Sequence, residues 1–233
     1  DHIQVQGNSD DGIEFYGGAV NVRYGVFTDN LDDSVDWDEG YTGNLQYIIV
    51  KQNDQATGNA FEMDTQGNPL PLSKPTLSNV TVIGHGVDGD ETELLVFKAG
   101  SGGFFHNSVF TVNAANSTIT DCILVEGADS FNILNTALVV NNAIADCAGG
   151  AGTGTVAVVT DGTGDDLDAT TITQVEAQLD ANLASQAPEA ILPAPIDWVA
   201  INGIYSESTA DPDFLDATSF IGAVNPDGSD LWW

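Results

Sequence analysis

A chain of 233 residues that is 42% hydrophobic is long enough to fold around one sizeable core, which excludes a wholly disordered polypeptide. Its 35 acidic residues against 4 basic ones give a net charge of −31, which excludes nucleic acid and anionic membrane surfaces as partners, since both demand a basic face. No run reaches the roughly 18 apolar residues of a membrane span.

In chain order, short apolar runs recur behind an asparagine: Asn21-Val22-Arg23-Tyr24-Gly25-Val26-Phe27, Asn44-Leu45-Gln46-Tyr47-Ile48-Ile49-Val50, Asn79-Val80-Thr81-Val82-Ile83, Asn107-Ser108-Val109-Phe110 and Asn135-Thr136-Ala137-Leu138. The asparagines lie at intervals of 23, 35, 28 and 28 residues. That is about one coil of a parallel β-helix, and stacked amides can hydrogen-bond along such a column. A second column advances with the first. Asp10-Asp11-Gly12-Ile13-Glu14-Phe15 aligns with Asp32-Asp33-Ser34-Val35-Asp36-Trp37, then with Gly58-Asn59-Ala60-Phe61-Glu62-Met63, then with Leu95-Val96-Phe97. Strand alternation turns Ile13, Phe15, Val35, Trp37, Phe61 and Met63 inward.

The pattern predicts an all-β fold, a right-handed parallel β-helix over residues 1–149. The competing architectures are a β-sandwich and a set of propeller blades, but Asp-Gly hairpin signals are few and irregularly spaced. Residues 150–195 read as glycine-rich loops around a strand from Val156 to Thr160, a helix over Thr171 to Ser185, and a proline-rich strap from Pro188 to Pro195. The helix would cap the open coil, as solenoid ends require. Residues 196–233 are expected to pack along the solenoid. Cys122 and Cys147 fit either one disulfide in an oxidising compartment or two buried thiols. The chain opens on Asp1 and closes on Trp232-Trp233, and reads as part of a longer secreted polypeptide.

The phrases from Asp10 to Gly18, from Asp32 to Gly40 and from Phe220 to Val224 resemble a family of bacterial secreted or surface-anchored right-handed β-helix proteins. In that family a tryptophan-rich ending commonly follows the Ile-Gly-Ala phrase, as Trp232-Trp233 does here. The resemblance implies an extracellular location and brings no catalytic residues with it.

Chemistry is expected in the acidic column. Glu14, Asp36 and Glu62 occupy equivalent places on three coils, where strands lie about 4.8 Å apart. Asp10-Asp11 stacks over Asp32-Asp33 at the adjoining turn. Carboxylates that close raise one another's pKa unless a cation intervenes. Calcium takes six to eight oxygens, so Asp10, Asp11, Glu14, Asp32, Asp33, Asp36 and Glu62 are the candidate ligands. Asp29, Asn30, Asp38 and Glu39 lie near enough in sequence to complete a shell. The alternative is a solvated acidic face of halophilic character.

A polysaccharide hydrolase or lyase on the same scaffold is the second reading. It would pair Asp10-Asp11 or Asp32-Asp33 with the histidine of Gly84-His85-Gly86. Arg23, Lys51, Lys74 and Lys98 are too few to grip an acidic sugar, and His2, His85 and His106 do not follow metal-motif spacing. No nucleophile elbow, P-loop or dinucleotide fingerprint occurs. Tyr16, Trp37 and Tyr41 could stack on a neutral glycan or pack in the core. The expected role is therefore a non-catalytic, calcium-stabilised extracellular module of a surface, matrix, adhesion or filament-forming protein. Its expected partners are copies of itself or a surface glycan.

Overall fold

A computed structural model of the chain describes residues 1–65, 71–85, 93–112, 119, 121–134, 136–147, 156–157, 196–229 and 232–233. Two parallel sheets advance together, coil by coil. One runs β14 (Val156–Ala157), β11 (Asp121–Val125), β8 (Glu93–Phe97), β6 (Phe61–Met63), β4 (Val35–Asp38), β2 (Glu14–Tyr16). The other runs β1 (Ile3–Gln6), β3 (Val22–Thr28), β5 (Asn44–Lys51), β7 (Thr76–Gly84), β10 (Val109–Val112), β13 (Ile144–Asp146). From β7 it branches to β9 (Gly103–His106) and β12 (Leu138–Asn141). All these pairings are parallel, and the chain is a parallel β-helix.

The branch has a simple cause. Tyr24, Tyr47, Asn79, Asn107 and Asn142 all have φ between 51° and 58°, the left-handed region, so the chain bends sharply at each. Residues on both sides of the bend stay paired: Arg23 with Gln46 before it and Gly25 with Ile48 after it. In the first coils the bend falls inside one long strand; later it divides β9 from β10 and β12 from β13.

The register corrects the expected single asparagine column. Asn44 Nδ2 donates to Asn21 Oδ1 at 3.2 Å, but the next partner of Asn44 is Thr76. Asn79 and Asn107 belong to the bend, and share it with Tyr24 and Tyr47. Asparagine is used there because it tolerates the left-handed backbone. Asn135 lies outside the described residues.

The interior is built by alternation. Val35, Trp37, Phe61, Met63, Leu95 and Phe97 are all fully buried, with Phe15 nearly so and Ile13 packed against them. Trp37 places its indole N–H on Ser101 Oγ at 3.0 Å, and Tyr41 stacks on Phe15 while donating to Val20 O at 2.7 Å. Trp37 and Tyr41 are thus core residues and cannot meet a glycan; Tyr16 is 71% exposed.

Cys122 and Cys147 form a disulfide with Cα atoms 5.3 Å apart, tying β11 to the residue after β13. A short helix, α1 (Gly127–Asn132), follows β11. The predicted helix over 171–185, the 188–195 strap and residues 158–160 of the predicted strand lie outside the described residues.

Residues 196–229 lie against the bent strands. Their helix α2 (Trp198–Ile204), capped by Asp197, was not anticipated in the sequence. Gln46 and the Asp216 backbone exchange two hydrogen bonds, and Asn79 Nδ2 donates to the carbonyls of Phe220 and Gly222. Asn79, although followed by Val80-Thr81, is fully buried and closed to glycosylation in the folded protein. Two of the four cations hold this segment: Lys74 bonds Glu207 at 2.5 Å, and Arg23 meets Asp216 at 3.5 Å and the Phe214 ring at 4.4 Å.

Candidate metal centre

The acidic column stands on the outward face of the smaller sheet. Glu14 pairs in register with Asp36, and Asp36 with Glu62, because Phe15, Trp37 and Met63 claim the interior. The next place is Val96, so the column ends after three coils. Glycines let the coils approach closely at the adjoining turn. A Cβ on Gly58 would stand 2.7 Å from Asp32 Oδ1, and one on Gly12 2.4 Å from Ser34 O.

Three groups of carboxylates result: Asp10, Asp11 and Asp32; Asp11, Glu14 and Asp36; Asp33, Asp36 and Glu62. Within each, oxygens lie within 4.8 Å of one another. All seven candidate ligands fall in these groups, which Asp11 and Asp36 link into one chain. Of the outlying candidates, Asp38 is buried and takes the Glu39 N–H at 2.6 Å, while Asn30 Oδ1 takes the Asn8 N–H at 3.2 Å. Asp29 lies 3.5 Å from Gln6 Nε2. None of these three, nor Glu39, joins a group.

The electrostatics follow from crowding. Burial, then the charge of Glu62, pushes Asp33 up to about 9, against the lowering effect of the Asn59 N–H at 2.5 Å. Burial, then Glu62, Asp11 and Glu14, pushes Asp36 up to about 7. Asp11 rises to about 6 through burial and the charges of Asp32, Glu14 and Asp10. Asp36 Oδ1 is buried without a hydrogen-bond partner. The exposed phenol of Tyr16, which donates to Glu14, rises to about 12.

The sequence reading missed Lys98, which follows β8 and places Nζ 2.7 Å from Glu62 Oε1. Burial works to lower its pKa, but the hydrogen bond and charge of Glu62, with Asp64 and Asp33, outweigh it and hold the ammonium protonated. Its only signal was its place one residue beyond Leu95-Val96-Phe97. His85 ends up beyond β7, with its N–H 3.5 Å from Gln52 Oε1, and belongs to none of the three groups. Hard oxygen ligands at this spacing suit calcium, whose oxygens sit about 2.3–2.6 Å from the ion and so up to about 5 Å from one another. The three carboxylate groups could hold such a metal ion, and Asp36 Oδ1 lies among them without a hydrogen-bond partner.

A family described as "Pectate-lyase like beta helix domain" matches residues 1–188. The chain belongs to this family. No curated protein and no solved structure matches it. For this pectate-lyase-like β-helix domain, the match establishes scaffold and family. The disulfide suggests an oxidising compartment, and no described helix is long and apolar enough to cross a membrane.

Proposed function

We propose that this domain is a non-catalytic, calcium-stabilised β-helix module of an extracellular surface, matrix or adhesion protein. Calcium bridges neighbouring coils through Asp10, Asp11, Glu14, Asp32, Asp33, Asp36 and Glu62. The observation that supports this reading is the linkage of three carboxylate groups across three coils. A solvated acidic face would have no reason to bury an Asp36 oxygen and most of Asp33. Further carboxylates on the flank allow cations to join one copy to another, or to a surface glycan, so the module binds or assembles.

Lys98 weighs against cleavage. The family description favours a polysaccharide-active enzyme, and a lyase needs a base beside its acidic site. Lys98 is the cation paired into the acidic groups, and Glu62 keeps it protonated. Isothermal titration with calcium tests the proposal. The wild type should bind, and Asp36→Asn, which touches two of the three groups, should weaken binding at least about tenfold. No calcium heat in the folded wild type contradicts the proposal. Release of reducing or unsaturated sugars from a polysaccharide panel, lost in Asp11→Asn, would replace it with the enzyme.

A further inference from the structure

We propose that His106 is an acid-sensitive latch for the C-terminal segment: when its imidazole takes up a proton, residues 196–229 detach from the bent strands they cover.

His106 closes β9 at the foot of the bend and is fully buried. Neither ring nitrogen has a hydrogen-bond partner. The ring of Trp198, the first residue of α2, meets it edge-on with centroids 5.5 Å apart. The imidazole is therefore in contact with the segment it would release. Its neighbours in register are Ser78 on β7 and Asn141 on β12. Apart from His106 itself, β7, β9, β12 and α2 contain no titratable residue. The segment's described acids are placed elsewhere: Asp197 caps α2 through the Ala200 N–H, Asp216 holds Tyr47 and Arg23, Glu207 holds Lys74, Asp211 takes the Asp213 N–H, Asp227 takes the Ser229 N–H, and Asp213 is exposed to solvent. Among the described residues, neither ring nitrogen is paired with an acceptor or a counter-ion.

An unpaired buried charge is among the costliest things a fold can hold, and Trp198 is part of what buries this ring. Burial accordingly lowers His106 from the usual 6.5 to about 4. The sign follows. The docked form favours the neutral ring, so its advantage is complete above about 6.5 and is lost as pH falls toward 4. Between those limits the opening equilibrium gains about tenfold per pH unit, roughly 300-fold in all. The Glu207 carboxylate is held below its usual range by the Lys74 hydrogen bond. Opening uncovers the amides of Gln46, Asn79 and Asn107, which the segment now covers.

Hydrogen exchange read by mass spectrometry from pH 7.5 to 4.0, corrected for intrinsic rates, tests the latch on the whole chain. In the wild type, opening of 196–229 should rise about tenfold per unit below pH 6.5, while β3 and β5 stay protected. His106→Phe and His106→Gln should both flatten that rise. A flat wild-type profile, or variants that open with the wild-type slope, overturns the latch. If both variants misfold, ring NMR of the wild type decides. An imidazole still neutral at pH 5.5 in the docked protein supports it, and one already protonated there overturns it.

Discussion

Lys98 and Asp33 mark the two ways this fold lowers the cost of crowded carboxylates without calcium: pairing one with a cation, or favouring the protonated form of one. Replacing Lys98 by methionine leaves Glu62 without its partner at 2.7 Å. The variant should lose roughly 1 kcal/mol in chelator and less when calcium is present, read by denaturant melts in both conditions. The protonated acids set a second expectation. Asp11, Asp36 and Asp33 are raised to about 6, 7 and 9, so without a divalent cation the folded state binds protons more tightly than the unfolded one. Their contribution is complete below the ordinary value of 3.8 and is lost as pH rises through those three values. In chelator, the melting temperature should therefore fall between pH 5 and 9; calcium, competing with the protons, should flatten that fall. A melting temperature that climbs with pH in chelator contradicts the crowding described here.

At the scale of strands and turns, the bend is the sensitive element. Asn79 combines a φ of 56° with hydrogen bonds to Gln46, Thr218, Phe220 and Gly222. Asn79→Ala should cost roughly 2–3 kcal/mol, and Asn79→Gly about 1 kcal/mol less, because glycine accepts the left-handed backbone without strain. Equal losses in urea unfolding would show that the backbone conformation contributes nothing. Replacing both Cys122 and Cys147 by serine should remove about 2–4 kcal/mol, with intact wild-type mass revealing the bond before reduction. The acidic column was legible in the sequence because period-two alternation around Phe15, Trp37 and Met63 repeats at every coil and leaves one face for Glu14, Asp36 and Glu62. The asparagines misled for a physical reason. An amide suits both a ladder within a strand and a left-handed bend, so Asn44 and Asn79 look alike in sequence but occupy places three residues apart in register. Lys98 was hidden because no earlier coil carries a cation there. Helix α2 was hidden because seven residues containing Asn202 and Gly203 show too little periodicity to read.

For the whole molecule, a charge of −31 raises the question of whether cations are bound or merely gathered. A diffuse atmosphere responds to ionic strength and is nearly blind to which ion supplies it. If the three linked carboxylate groups bind calcium as proposed, they respond to it at concentrations that leave ionic strength unchanged, and binding stabilises the fold by mass action. If the same cations join copies of the domain, light scattering should rise with calcium and fall back on chelation, whereas Asp36→Asn should stay dispersed. The direct measurement is the melting temperature in chelator and along a calcium titration, with sodium adjusted to hold ionic strength constant and magnesium run in parallel. The account predicts a saturable rise with calcium, a smaller one with magnesium, and a blunted response in Asp36→Asn. Superimposable melts with and without calcium at constant ionic strength would contradict it.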